Sequence, residues 1–261
     1  MKNAATFLIL SLLLAGCVNT ARQEWRLVWE EDFDGPMIDE SVWTRIPKGP
    51  NDWNDMMSLR EDLAYIEDGQ LVLLGKVGGE QDETPFVTGG VASRGKKSFQ
   101  GARVEIRARF NSARGFWPAL WLMPDAELPA PEYAEVDMME HLNQEDSVYQ
   151  TVHSRYTLDG GEEPPKFVLA PIDKDEWNTY AAEIHRDSVC LFTNGIKTLT
   201  YPRVEGLEHQ FPWPDYPFYL ILSNQLGGSW VGPVEAPEEL PARLCIDWIK
   251  VYEKADKKRA L

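Results

Sequence analysis

Residues 103–110 read Arg-Val-Glu-Ile-Arg-Ala-Arg-Phe, and this strict alternation of polar and apolar side chains decides the fold class. Side chains of a β-strand point to opposite faces in turn, so the pattern predicts a strand with one buried face. Strand patterns recur along the chain, whereas apolar residues at helical spacing do not. The other strand-like segments are 116–123, 148–153, 179–186, 188–193, 196–201, 218–223 and 244–252.

Two of these strands flank Asn194-Gly195, the strongest short signal for a β-hairpin. The chain has 18 prolines and 19 glycines, which are scattered between the strand-like runs, and no repeat or linker divides it. Many strands without helices predict an all-β fold of two packed antiparallel sheets. Sheets of this size usually curve, and their concave face forms a groove that suits an enzyme cutting inside a polymer.

The first 16 residues resemble a bacterial lipoprotein signal peptide. Lys2 precedes an apolar run from Ala4 to Ala15, which is shorter than the roughly 20 residues of a membrane span. The run ends in Leu14-Ala15-Gly16-Cys17, which resembles a lipobox and implies cleavage before Cys17 and lipidation of that residue. The alternative is an ordinary cleaved signal with an incidental cysteine. We expect an exported protein, lipid-anchored at the cell envelope in the outer membrane or at the cell surface.

Behind the signal we expect a tether over residues 17–24, one domain over 25–254 and a charged tail over 255–261. Cys190 and Cys245 are the remaining cysteines, and each lies in an apolar, strand-like run. This setting predicts buried free thiols, although an oxidising compartment leaves a disulfide between them open.

The chain is strongly acidic, with a formal net charge of −16. Removal of residues 1–16, which hold one lysine and no acid, takes the charge to −17. Such a charge excludes nucleic acid as a partner, because nucleic-acid binding needs a basic surface. It also disfavours strongly anionic polymers, so a neutral or weakly charged substrate is expected.

Residues 135–140 read Glu-Val-Asp-Met-Met-Glu. Regular alternation places Glu135 and Asp137 on one face of a strand and Glu140 on the other, and a β-bulge would return Glu140 to the first face. The two glutamates could then approach to about 5 Å, the separation used by glycosidases that retain anomeric configuration. Asp137 would keep the pKa values of the two glutamates apart. With 42 acidic residues in the chain, a solvated face or a cation site is the alternative.

Ten tryptophans make the chain rich in flat aromatic surfaces, on which the apolar faces of sugar rings can stack. Trp117 and Trp121 are four residues apart and share a face of one strand, which favours a groove over the core. Trp53 and Trp230 lie in polar, glycine-bearing stretches from which a loop could present them to a cleft. The tryptophans expected in the core or at the rim are Trp25, Trp29, Trp43, Trp177 and Trp248.

The segment 115–123 followed by 135–140 resembles glycoside hydrolase family 16, and the resemblance extends from about Trp25 to Tyr252. The other matching motifs are Glu31-Asp32-Phe33-Asp34-Gly35, Val152-His153-Ser154, Gly227-Gly228-Ser229-Trp230 and Ile246-Asp247-Trp248-Ile249-Lys250-Val251-Tyr252. The resemblance implies a β-sandwich jelly roll with a concave substrate groove. It also implies a retaining double displacement, for which no cofactor is required.

Matching motif positions suggest roles for individual residues. Glu135 resembles the nucleophile, Glu140 the general acid/base and Asp137 the helper carboxylate. The two methionines between Asp137 and Glu140 resemble the bulged Glu-x-Asp-x-x-Glu branch, which includes laminarinases and endo-β-galactosidases. His153 resembles a histidine near the acid/base, with an ordinary structural histidine as the alternative.

Weaker correspondences concern substrate and metal. Arg94 resembles a sugar-contacting arginine of the cleft, with an exposed turn residue as the alternative. Asp32 and Asp247 occupy positions where many relatives bind a structural Ca²⁺, which oxygen ligands suit, although two acids do not complete a site.

Two segments depart from laminarin-cleaving relatives: Asn51–Met57 and Ser223–Leu226, the latter containing Gln225 as a candidate sugar ligand. The first looks more like lipoprotein members that attack β-galactosidic bonds. We therefore expect a monomeric, retaining endo-β-glycosidase acting on a β-galactan or poly-N-acetyllactosamine-type glycan, or on a β-1,3-glucan. The alternatives are a sugar-binding lipoprotein without turnover and a transglycosylase.

Overall fold

The computed structural model describes residues 25–255. The predicted signal peptide, the lipidation site at Cys17, the tether over 17–24 and the tail beyond residue 255 lie outside the described residues. Within the described range the chain forms two antiparallel sheets with almost no helix, which confirms the predicted all-β class. Between residues 25 and 255 no helix has the length and apolarity needed to cross a membrane.

The first sheet, with strands numbered along the chain, has the spatial order β15 (Ile196–Pro202), β14 (Ser188–Thr193), β13 (Asn178–Ile184), β8 (Arg103–Phe110), β17 (Ala242–Lys254), β4 (Gln70–Val77) and β3 (Ala64–Glu67). Two further strands join it, β1 (Trp25–Glu31) on β17 and β5 (Phe86–Thr88) on β4.

The second sheet has the spatial order β12 (Phe167–Pro171), β11 (Ser147–Ser154), β10 (Ala134–Glu140), β9 (Phe116–Pro124), β16 (Phe218–Leu226), β6 (Gly90–Ala92) and β2 (Thr44–Arg45), and β7 (Ser98–Phe99) pairs with β16. The remaining elements are a helical turn, α1 (Arg155–Leu158), and three 3₁₀ turns at Glu61–Leu63, Trp213–Asp215 and Pro237–Glu239.

The predicted strands all exist, and 103–110 and 188–193 agree with the structure at both ends. The strand expected over 179–186 ends at Ile184, because the chain turns there and the His185 N–H donates to the Ser188 carbonyl over 2.8 Å. The turn α1 was not expected. Ser154 begins it with a capping box in which its side chain and Thr157 satisfy each other's backbone N–H groups.

The core lies between the sheets and is filled by alternate residues of the central strands. On β8 the inward side chains, Val104 and Ile106 among them, are almost fully buried, as the 103–110 pattern predicts. Leu120 and Leu220 face them from β9 and β16 and are completely buried. Each large apolar side chain buried in this way stabilises the fold by about 1.5–3 kcal/mol relative to exposure. The outward face of the second sheet is thereby left for polar and aromatic side chains.

The two cysteines of the described range do not form a disulfide. Cys190 on β14 and Cys245 on β17 are both buried free thiols. The prediction of free thiols is therefore confirmed, and the alternative of a bridge is not.

Candidate active site

The acidic hexapeptide forms β10, and the strand carries the expected bulge. Three steps along β10, from Asp137 to Glu140, oppose only two steps along β11, from Thr151 to Tyr149. Against β9 the register shifts between Asp137 and Met139. The extra residue returns Glu140 to the face of Glu135 and Asp137, while the two methionines between the acids are fully buried in the core.

The three carboxylates line one cleft on the outer face of the second sheet, with a volume of about 450 Å³. Strands β9, β10, β11 and β16 supply its floor, and the loops around residues 53 and 230 supply its walls. Of the residues predicted to form a site, the cleft brings together Glu135, Asp137, Glu140, His153, Trp53, Trp117, Trp121, Gln225 and Trp230.

Trp117 and Trp121 of β9 share the cleft face as predicted, and each forms a hydrogen bond with a polar neighbour. The Trp117 indole N–H donates to Glu140 Oε1 over 3.1 Å. The Trp121 indole N–H donates to Ser223 Oγ over 3.1 Å. Each also meets a loop tryptophan edge to face, Trp53 on Trp121 at 4.9 Å and Trp230 on Trp117 at 5.2 Å between ring centroids. The four rings are therefore held in fixed orientations.

Burial and mutual repulsion govern protonation in the cleft. Burial raises the pKa of Asp137 well above its usual value, and the charge of Glu135 and a hydrogen bond with Glu135 raise it further. Burial also raises the pKa of Glu140 well above its usual value, and so do the charges of Asp137 and Glu135, whereas the Trp117 hydrogen bond lowers it. Asp137 and Glu140 thus hold protons where ordinary carboxyls have lost theirs, which is the state that a proton donor needs.

His153 lies directly opposite Glu135 in the register of β10 and β11. Its Nε2 atom is 3.2 Å from Asp137 Oδ2, and its positive charge, when protonated, lowers the pKa of Glu140. His153 therefore contacts Asp137, the central carboxyl, and its charge also affects the pKa of Glu140 at the end of β10.

Beyond Glu135 the cleft continues into a recess of about 850 Å³. Trp53, Trp121 and Glu135 line both cavities and mark the junction between them. Arg94 is exposed on the wall of the recess, with its guanidinium 5.9 Å from the centre of the Tyr219 ring. Arg94 thus lies in the part of the cleft that lacks Glu140.

The segments Asn51–Met57 and Ser223–Leu226 contact each other, and the turn that follows the second segment also binds the first. The Gln225 amide donates to Asp55, and the Ser229 N–H and hydroxyl donate to the Asp52 carboxylate, the latter over 2.7 Å. Trp53 lies between the two anchored acids in the sequence, so the loop that presents it is fastened to β16 and to the following turn. Gly228 makes this approach possible, because a Cβ atom there would lie about 3.0 Å from the Asp52 carboxylate.

The acids expected at a calcium site have other surroundings. Asp247 forms an ion pair with Arg107, and Asp32 is exposed at the end of β1. Among residues 25–255 no cluster of three or more His, Cys, Asp or Glu side chains is arranged to hold a metal ion. These side chains alone do not fit a calcium ion, and the structural calcium stays a prediction.

Several residues of the cleft were missed at the level of sequence. Tyr149 and Thr151 alternate with His153 on a predicted strand, so period two could have found them. The same rule puts Tyr133 on the face of Glu135. Phe167 lies on the edge strand β12, half exposed, and nothing in its sequence surroundings indicates a cleft.

Comparison with known proteins agrees with this geometry. The family model "Glycosyl hydrolases family 16" matches residues 57–250, which include the whole of β10. A keratan-sulfate endo-1,4-beta-galactosidase from Sphingobacterium multivorum is 32% identical over 254 residues, which cover 93% of this chain. The chain spans 58% of the length of that relative.

Solved structures share the fold. The catalytic domain of an endo-1,3-beta-glucanase (laminarinase) from Thermotoga petrophila is 27% identical, with a TM-score of 0.79 over 90% of this chain and 100% of that one. A structure from work on endo-acting O-glycanases that initiate mucin breakdown in the human gut microbiota is 27% identical, with a TM-score of 0.75 over 87% and 98% of the two chains. The chain therefore belongs to glycosyl hydrolases family 16 and is a glycoside hydrolase of jelly-roll fold.

Proposed function

We propose that the protein is an endo-acting β-glycosidase that retains anomeric configuration. The observation that carries the proposal is the bulge in β10, which turns Glu135, Asp137 and Glu140 into one cleft between two pairs of tryptophans. The cleft and its adjoining recess offer room on both sides of Glu135, as cleavage inside a polymer requires.

The reaction has two displacements. A Glu135 oxygen forms a bond to the anomeric carbon while the glycosidic C–O bond breaks, and the leaving oxygen takes the proton of Glu140. Glu140, now ionised, then removes a proton from water, whose oxygen bonds to the same carbon. The ester bond to Glu135 breaks, and its electron pair returns to the carboxylate. Asp137 keeps its proton and donates a hydrogen bond to Glu135.

A sugar-binding protein without turnover is disfavoured by the protonation of the cleft. Stacking on tryptophans needs no acids, and burying Asp137 and Glu140 among like charges is costly. A raised pKa at Glu140 is useful only where a proton is delivered. A transglycosylase would use the same first step, with a sugar hydroxyl in place of water.

For the substrate we favour an internal β-galactosidic bond of a β-galactan or poly-N-acetyllactosamine-type glycan. The Asn51–Met57 segment and the relative from Sphingobacterium multivorum support this choice. The net charge of −16 argues for unsulfated stretches of such a glycan over sulfated ones. A β-1,3-glucan is the second candidate, favoured by the higher TM-score to the Thermotoga petrophila laminarinase.

The test is a screen of the protein lacking residues 1–17 against laminarin, mixed-linkage glucan, agarose, galactan and desulfated and sulfated poly-N-acetyllactosamine. New reducing ends identify the polymer. On that polymer Glu135→Gln should lower kcat at least about a thousandfold yet keep polymer binding. Glu162→Gln, an exposed glutamate outside the cleft, is the matched control. Full activity of Glu135→Gln would end the assignment of this residue.

We further propose export and lipid anchoring through Cys17, on the resemblance of residues 14–17 to a lipobox, and a monomeric state. Globomycin, which blocks the lipoprotein signal peptidase, should cause the unprocessed form to accumulate in cells. Cys17→Ser should release the protein from membranes. Membrane retention of Cys17→Ser would contradict the anchor.

A further inference from the structure

A tyrosine outside the acidic motif contacts the proposed nucleophile. Tyr133 precedes Glu135 by two residues, and its phenol O–H donates a hydrogen bond to Glu135 Oε2. Burial raises the pKa of Tyr133, and the negative charge of Glu135 raises it further. The phenol therefore keeps its proton, and an ionised carboxylate can only accept. The direction of the bond is fixed by these two facts.

The backbone around this pair is anchored from the other side. The Trp213 indole N–H donates to the Glu135 carbonyl over 3.2 Å. Trp213 is fully buried between Tyr201 and Phe211, whose rings lie 5.6 and 5.1 Å from it, so this donor has little freedom to move. Tyr133 thus acts on a residue whose main chain is already held.

The residue just before Tyr133 is anchored as well. Glu132 pairs with His209 Nδ1 at 2.6 Å, and its N–H donates to the Pro129 carbonyl in a turn. Because Glu132 and Glu135 are both anchored, Tyr133 loses little conformational entropy when its hydroxyl binds Glu135. The contact is therefore pre-organised and independent of bound sugar.

We propose that Tyr133 is a positioning residue that holds the Glu135 carboxylate oriented for attack on the anomeric carbon. This inference rests on the proposed retaining hydrolysis. The hydrogen bond from Tyr133 holds one oxygen of the Glu135 carboxylate in place. It also removes one rotation that attack would otherwise have to freeze.

The same bond assists the second displacement. Once Glu135 is esterified, the phenol donates to an ester oxygen. When water bonds to the anomeric carbon, the electron pair of the breaking ester bond returns to the carboxylate, and the donor stabilises the charge that develops there. No proton leaves Tyr133 in either step.

The experiment compares Tyr133→Phe with wild type on the polymer that the screen identifies. Tyr219→Phe, which removes a hydroxyl from the same recess without a bond to Glu135, is the control. We expect kcat of Tyr133→Phe to fall about tenfold and KM to change less than about twofold, because positioning of the nucleophile matters in the transition state and not for polymer binding. The melting temperature should stay within a few degrees, because the half-buried ring remains.

Each outcome bears on one idea. A kcat of Tyr133→Phe equal to that of wild type, or an equal fall of kcat in Tyr219→Phe, overturns the role of Tyr133 and leaves the proposed function intact. Unchanged activity in Glu135→Gln overturns the proposed function itself. A rise of KM in Tyr133→Phe with kcat unchanged also contradicts the inference, since a lost positioning contact would lower kcat.

Discussion

Trp117 on β9 and Glu140 on β10 are joined by a hydrogen bond of 3.1 Å from the indole N–H to Oε1. An indole nitrogen can only donate, so this oxygen accepts, and the other oxygen of Glu140 is left to carry the carboxylic proton. Burial raises the pKa of Glu140, as do Asp137 and Glu135, and the Trp117 bond opposes them. One tryptophan thus offers a stacking surface and tunes the proton donor.

Trp117→Phe should therefore move the basic limb of the kcat/KM profile to higher pH. The lost donor had favoured the ionised form of Glu140, so without it the acid stays protonated further into the alkaline range, by about half to one pH unit. Trp121→Phe is the control, because its indole donates to Ser223 and not to a carboxyl. A basic limb that moves downward, or equally in both variants, would refute this relationship.

Asp137→Asn should make the protein more stable at alkaline pH. Burial raises the pKa of Asp137 in the folded state above its usual value, so the folded chain binds this proton more tightly than the unfolded chain. Between the unfolded and folded pKa values, stability then falls as pH rises, by up to about 1.4 kcal/mol per pH unit. The asparagine cannot titrate. Its advantage over wild type should therefore vanish near pH 4 and grow toward pH 8.

Urea unfolding at a series of pH values measures this slope. Glu140→Gln should also make the fall of stability with rising pH less steep, because burial raises the pKa of Glu140 as well. An Asp137→Asn protein that loses stability with rising pH as steeply as wild type does would show that Asp137 is not protonated in the fold.

Asp55→Ala should weaken substrate binding and leave the chemical step almost intact. The change removes the acceptor of the Gln225 amide and frees one end of the loop that carries Trp53. We expect KM for the polymer to rise about tenfold, and kcat to change less than about twofold, because ordering the loop then costs free energy on binding. Asp159→Ala, which breaks only an exposed ion pair with Arg155, is the control. Equal KM values in the two variants would rule out this role of the loop.

Trp230→Ala should also raise KM, by about tenfold for an aromatic platform of this kind. The ring is 44% exposed and forms T-shaped contacts with Trp117 and Tyr149, so nearly half of its surface is open to a sugar. Trp248→Ala on β17, where the ring packs under Lys250, is the matched control. Isothermal titration with inactive Glu135→Gln as the background separates binding from turnover. An unchanged affinity in Trp230→Ala would show that this ring does not bind the substrate.

Sequence pattern alone predicted the strands of the two sheets and the common face of the three acids in β10. Alternation over 103–110 predicts which side chains are buried, and period two over 116–123 puts Trp117 and Trp121 on one face. The extra residue within 135–140 predicts the bulge that returns Glu140 to the face of Glu135. These signals are local, because each depends on the periodicity of a single strand.

The contacts that tune the site were not predictable in this way. The pairing of Asp55 with Gln225 joins residues 170 positions apart, and the Trp213 bond to Glu135 spans 78. Such contacts depend on how loops pack over the sheet, which no periodicity encodes. Tyr133 was missed as well, although its position two residues before Glu135 could have indicated a shared face.

The anomeric configuration of the first product tests the central proposal most directly. Proton NMR during the first minutes of hydrolysis reads the new reducing end before mutarotation. Glu135 as nucleophile and Glu140 as acid/base predict that the β-anomer appears first and the α-anomer follows with the rate of mutarotation. An α-anomer that appears first would mean a single displacement by water, and would contradict the double displacement proposed for this cleft.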